Sequence, residues 1–157
     1  MKSIPKRRRI EAKTDYVARL SLLKSSKPRF VVRRTNRYMI AQLVSSKNAQ
    51  DSVLLSVSSK DLLDKSWPSD KAGSLKGLPA AYLTGILFGN LAKKISKEAI
   101  LDLGMHRNVK KSRIYAVLKG AVDAGLVVAH SGESLPSEKD ITSKSCGSLV
   151  ASLKGKL

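Results

Sequence analysis

Cysteine, aromatic side chains and acidic residues are all scarce in this chain of 157 residues. The single cysteine, Cys146, excludes a disulfide framework and a cysteine-based zinc site, and His106 and His130 are too few to supply the missing ligands. Aromatics make up only 4% of the chain, so the core must be aliphatic and base stacking has few platforms. The longest apolar stretch, Leu83 to Ala92, is broken by Thr84, Gly85, Gly89 and Asn90 and falls far below the roughly 20 residues that span a bilayer. The basic N-terminal segment runs into Glu11, Lys13 and Asp15 without an apolar stretch, so it does not read as a secretory signal. These shortages point to a reducing, cytoplasmic setting without a membrane partner.

Against 12 acids stand 30 Lys and Arg, a formal charge of +18. With 42% hydrophobic residues the chain still has the material for a core, so it is not a disordered polycation. The charge is uneven: residues 1–37 hold 13 Lys or Arg against Glu11 and Asp15. Such density gains most by neutralising a polyanion and releasing its counterions, which makes nucleic acid the first partner to consider. A run such as Lys6-Arg7-Arg8-Arg9 is also what a solvated tail looks like. Arg19, Arg29, Arg33, Arg34 and Arg37, however, carry the charge into segments with folding signals, where guanidinium groups are held ready for phosphates.

Residues 1–13 lack an apolar period and read as an extended or partner-ordered basic arm. Thr14 reads as an N-cap, followed by Val17, Leu20 and Leu23 at helical spacing. Arg29 to Arg34 and Tyr38 to Val44 read as strands about a Thr35-Asn36-Arg37 turn, with Phe30 and Val32 on one face. After a polar turn at Ser45 to Asp51, Ser52 to Ser58 alternates Val53, Leu55 and Val57 with Leu54 and serines, a third strand. Residues 59–77 read as a loop with a helical turn near Lys60 to Asp64, and Trp67 as its anchor to the domain.

Pro79 opens a helix with an apolar stripe of Leu83, Ile86, Leu87, Leu91 and Ile95. Its second stripe, Ala81, Gly85 and Gly89, has almost no side chain, so another element must pack closely there. Ala99 to Leu103 reads as a fourth strand, Ser112 as the cap of a helix running to Gly125, and Leu126 to Ala129 as a fifth strand. A short helix is expected at Ser148 to Leu153. The expected fold is α/β: a mixed β-sheet, made of a three-stranded antiparallel meander plus later strands, covered by two main helices. The arm (1–13) precedes an RNA-binding domain (14–130), and a C-terminal extension (131–157) follows.

Asp61, Asp64, Asp102 and Asp123 are the carboxylates a two-metal nuclease would draw on, but local ion pairs explain them as well. No P-loop or dinucleotide fingerprint is present, so neither cofactor nor small-molecule substrate is expected. The stronger candidates are cationic. Lys110, Lys111 and Arg113, with Arg107 before them, crowd a helix start whose dipole is already positive, a repulsion that a bound phosphate relieves. Arg33, Arg34 and Arg37 flank Asn36 at the hairpin tip, where Asn36 is placed to read a base edge or sugar.

Several ordered segments together resemble one family. They are the Arg-rich arm before Lys13-Thr14-Asp15-Tyr16, Lys27-Pro28-Arg29-Phe30-Val31-Val32-Arg33-Arg34-Thr35-Asn36 with Ile40-Ala41-Gln42, Pro79 to Gly85, Leu101-Asp102-Leu103-Gly104 through Leu126, and Leu135-Pro136-Ser137-Glu138. The chain resembles, over nearly its whole length, the large-subunit ribosomal proteins that bind 5S ribosomal RNA (the L-eighteen family) in their archaeal and eukaryotic form. That resemblance implies a non-enzymatic scaffold of the central protuberance, contacting 5S rRNA, adjoining large-subunit rRNA and the neighbouring 5S-binding ribosomal protein. It places the RNA contacts on Arg7, Arg8, Arg9 and Lys13 of the arm and on Arg33, Arg34, Asn36 and Arg37 of the hairpin; Thr14, Tyr16 and Arg19, next to the arm in sequence, are candidates from the residues themselves. Val17 and Ala18 stand where relatives commonly carry basic residues, Lys111 where a glycine precedes Ser112, and Asp140 where a cation is expected. A metal-dependent nuclease and a nonspecific nucleic-acid-coating protein are the rival readings.

Overall fold

The computed structural model describes residues 4–48, 50–65, 67–142 and 147–155; Cys146 lies outside them, as do the ends of the arm and of the extension. Helix α1 (Arg7–Ile10) and helix α2 (Tyr16–Lys24) precede strands β1 (Arg29–Arg34), β2 (Met39–Lys47) and β3 (Gln50–Ser58). Two 3-10 turns, Ser59–Leu62 and Ser69–Ser74, lead to α3 (Leu78–Ala92), β4 (Glu98–Asp102), α4 (Arg113–Asp123) and β5 (Val127–Val128). The chain then folds into α5 (Glu138–Ile141) and α6 (Gly147–Lys154). The strands lie in the order β3-β2-β1-β4-β5, antiparallel across β1, β2 and β3 and parallel from β1 to β4 and β4 to β5. This is the mixed α/β sheet that the sequence predicts.

Inward-facing Phe30, Val32, Met39, Ala41, Leu43 and Val57 meet α3, and the Phe30 and Phe88 rings stack with centroids 4.5 Å apart. Because α3 is enclosed by the sheet, α4 and the C-terminal helices, it is apolar all round. The small-residue stripe sits against α4. A Cβ on Gly85 would stand 2.1 Å from the Val117 carbonyl oxygen, and one on Gly120 2.1 Å from that of Tyr82. The two backbones therefore touch, a distance only glycine permits. Ile141, Val150 and Leu153 are buried with this core, so the C-terminal segment completes the domain on α3.

Several local expectations are corrected. Asp15, not Thr14, caps α2, its Oδ1 accepting from the Val17 and Ala18 amides, because a carboxylate reaches both free N–H groups. The arm is not extended throughout, since α1 is a helical turn whose Arg8 carbonyl accepts from the Lys13 and Thr14 amides. Val17 and Leu20 are exposed, so the α2 stripe is not a core face. The turn expected at Ser45 to Asp51 is mostly strand, with Lys47 paired to Gln50. Between Leu43 and Val44 the register shifts by a bulge, which rotates Val53 to the outer face and leaves it and Leu54 exposed. Helix α3 ends at Ala92, so Ile95 lies beyond it and is exposed. Strand β4 starts and ends one residue earlier than expected, and β5 keeps only two residues.

Trp67 is buried, its Nε1 donating to the Lys71 carbonyl, and so anchors the loop as expected. Ser112 occupies the N-cap position of α4, though its side chain makes no capping bond. Lys111 adopts φ 58°, a left-handed conformation in which a glycine is unstrained, which accounts for the glycine usual at this place. Asp140 is the third residue of a capping box with Ser137, so it serves the start of α5.

The helix contact makes Gly85→Ala costly: overpacking against backbone should outweigh the gain in helix propensity and remove about 2 kcal/mol of stability. Gly73→Ala, with open space around the new methyl, should stay within about 0.5 kcal/mol. Urea unfolding of the two variants measures the difference.

Candidate nucleic-acid interface

Strand alternation sends Arg29, Val31 and Arg33 of β1 to the face away from α3, where α2 and the arm lie over them. Between these layers is a cleft of about 580 Å³ whose walls include Arg8, Lys13, Thr14, Arg19, Arg33 and Asp51. At its floor the Arg29 side chain is 5% exposed. Its Nη1 donates to Asp102 Oδ2 at 2.9 Å, and Nη2 stands 2.7 Å from Asp51 Oδ1 as a charge contact outside hydrogen-bond alignment. Asp102, equally buried, also accepts at Oδ1 from Arg33 Nη2 (3.0 Å) and from the Gly104 amide (2.8 Å). Arg33 donates Nη1 to the Asp102 carbonyl oxygen at 2.7 Å. Arg19 closes the chain on Asp51 at 2.8 Å. Arg29, expected as a phosphate ligand, is thus a buried structural cation, and Arg33 is half-buried and bound to Asp102.

Burial pushes the Asp51 carboxyl upward, but the Ser46 hydroxyl, Arg29 and Arg19 together hold it below the ordinary carboxylate range. The Arg29 and Asp102 pair was invisible to local sequence reading because 73 residues separate the two. Its only signal was Asp102, which ends a strand predicted to pair within the same sheet.

Strands β1 and β4 are parallel, so the hairpin tip and the loop after β4 emerge at the same end of the sheet. The Arg34 amide donates to His106 Nε2 at 3.2 Å and joins them. Accepting at Nε2 requires a neutral ring with its proton on Nδ1. Burial, then the Arg33 and Arg34 charges, hold the His106 pKa below its ordinary 6.5. Thr35 closes the tip through the Tyr38 amide and carbonyl, leaving Arg34, Asn36 and Arg37 exposed. Arg107, Lys110 and Lys111 are exposed on the joined loop, where Lys110 pairs with Glu133 at 2.8 Å. Arg113 opens α4 beside them. Among the described residues, the side chains of Arg9, Arg34, Arg37, Arg107 and Arg113 have no hydrogen-bond or ion-pair partner.

On the arm, Arg8 Nε donates to Thr14 Oγ1 (2.9 Å), Lys6 lies 4.5 Å from the Tyr16 ring centroid, and Glu11 is shared by Lys13 (2.7 Å) and Arg7 (3.8 Å). The acids considered for a nuclease are dispersed. Asp61 belongs to a capping box with Ser58, Asp102 to the arginine pair, and Asp123 accepts from the Tyr82 hydroxyl at 2.8 Å.

The core is a non-repetitive α/β sheet, with exposed Arg34, Arg37 and Arg107 at one of its ends. The family model described as ribosomal large subunit proteins 60S L5 and 50S L18 matches residues 3–97 and 92–131. The chain belongs to that family, a class of structural large-subunit proteins of the cytoplasmic ribosome and not a class of enzymes. A protein of Korarchaeum cryptofilum (strain OPF8), named large ribosomal subunit protein uL18, is 50% identical over 149 residues, covering 94% of this chain and 74% of that protein.

Two outcomes follow from this geometry. Because the His106 pKa is depressed in the folded state, its contribution is complete above the ordinary value of 6.5 and is lost as pH falls through the lower folded value. The exchange protection of the Arg34 amide should decline in that window, while unchanged protection would assign the amide another acceptor. Asp102→Ala should cost about 3–5 kcal/mol, since it leaves Arg29 buried without its best partner. Thermal or urea unfolding reads that loss.

Proposed function

We propose that this protein binds 5S rRNA and adjoining large-subunit rRNA through backbone phosphates, helping to attach 5S rRNA in the central protuberance beside the neighbouring 5S-binding ribosomal protein. The observation that carries the reading is the set of exposed, unpartnered guanidinium groups of Arg34, Arg37 and Arg107, held on two loops that a hydrogen bond joins. Free guanidinium groups carried on loops whose backbones are tied together can fork onto phosphates with the loops already in place. The arm residues Arg7, Arg8, Arg9 and Lys13, with Thr14, Tyr16 and Arg19, extend the same surface along the cleft. Lys110, Lys111 and Arg113 extend it along the start of α4, and Asn36 is the hairpin group suited to a base edge or sugar. Arg33 acts mainly by fixing the loop after β4. No step requires a metal or cofactor, and three of the four acids weighed for catalysis have other partners: Asp61 is in a capping box, Asp102 is ion-paired, and Asp123 accepts from the Tyr82 hydroxyl.

If about eight phosphates are engaged, log K should fall with log salt at a slope of roughly −6 to −7. Replacing Arg34, Arg37 and Arg107 together by Gln should reduce that slope by about three units and weaken 5S binding well beyond the effect of replacing Lys93, Lys94 and Lys97, which lie at the opposite end of the sheet. Filter binding across a salt series measures both. Equal losses for the two triple variants, or no preference for 5S rRNA over transfer RNA, would remove the assignment.

A further inference from the structure

The arm reaches the sheet through α2, and α2 is docked by charge more than by packing. None of its nine residues is buried; Val17 is 73% and Leu20 57% exposed, and Tyr16, Arg19, Leu22 and Leu23 are half-covered. Among the described residues, one side-chain bond joins α2 to the sheet, that of Arg19 Nη2 to Asp51 Oδ2 at 2.8 Å. Asp51 itself is immobilised from two other sides. Its Oδ1 accepts from the Ser46 hydroxyl on the paired strand and faces the buried Arg29, which is pinned in turn by Asp102. A carboxylate so fixed is a stable post for a mobile arginine.

We propose that Asp51 is a positioning residue: it latches α2, and with it the basic arm, over the open sheet face, so that the arm's cations meet a folded RNA in one geometry. The role rests on the RNA-binding reading above and deepens it. Its consequence runs against simple electrostatics. Removing an acid from a protein of charge +18 should tighten binding to any polyanion. Loss of the latch instead frees the arm, and the cost of ordering it falls on the binding of a structured RNA.

The test uses the full chain with Asp51→Asn, Asp51→Glu and Arg19→Gln, the last leaving the Asp51 and Arg29 contact intact. Hydrogen exchange of the α2 amides should speed up roughly five- to tenfold in Asp51→Asn and Arg19→Gln and recover in part in Asp51→Glu. Affinity of Asp51→Asn for 5S rRNA should fall about fivefold while its affinity for polyuridylate at the same salt holds or rises. Unchanged α2 exchange in both latch-breaking variants, or tighter 5S binding by Asp51→Asn, overturns the latch. A parent protein that does not prefer 5S rRNA to polyuridylate defeats the RNA reading alone, because the exchange result still reports whether Asp51 holds α2.

Discussion

A guanidinium buried to the extent of Arg29 is tolerable only with compensating charge, since an isolated ion in such a place costs several kcal/mol even after relaxation. Asp102 and Asp51 supply that charge from two directions. One lies on the parallel neighbour β4, the other two strands away on β3, so the network crosses the sheet and joins strands that the sequence separates widely. Through Arg33 it reaches the loop after β4, and through Arg19 it reaches α2. The outer face of the sheet is thereby organised by ion pairs, as the inner face is by apolar contact.

The division suits a protein that must present cations without collapsing on itself. On the inner side, glycines let α3 and α4 meet backbone to backbone, which fixes the platform. On the outer side the acids are few and are spent on buried or half-buried arginines, leaving Arg34, Arg37 and Arg107 unpaired at one end. The Arg34 and His106 bond then makes one surface out of two loops.

Much of the architecture was legible locally. The α3 stripe from Leu83 to Leu87, the glycine stripe opposite it, the β1 and β2 hairpin and the Gly125 stop all rest on short-range rules of period, capping and turn chemistry and are present, whereas Leu91 and Ile95 at the end of the stripe are exposed. The misreadings share a cause. Val17 and Leu20 have helical spacing, but periodicity cannot tell whether a partner covers the face. The bulge at Leu43 and Val44 is invisible to strict alternation, and one extra residue turned Val53 outward. Asp15 caps α2 in place of Thr14 because its carboxylate reaches two free amides, while the Thr14 hydroxyl accepts from Arg8 Nε.

Composition and charge by themselves determined that the chain has an aliphatic core and a large surplus of cations, because the counts of Lys, Arg, Cys, His and aromatics are independent of conformation. Which cations remain available was decided only by the tertiary structure. Arg29 and Arg34 are indistinguishable in sequence, five residues apart in one strand, yet alternation and the position of Asp102 bury the first and leave the second in solvent. An ion pair forms according to distance in space and desolvation, and neither quantity exists until the strands are assembled.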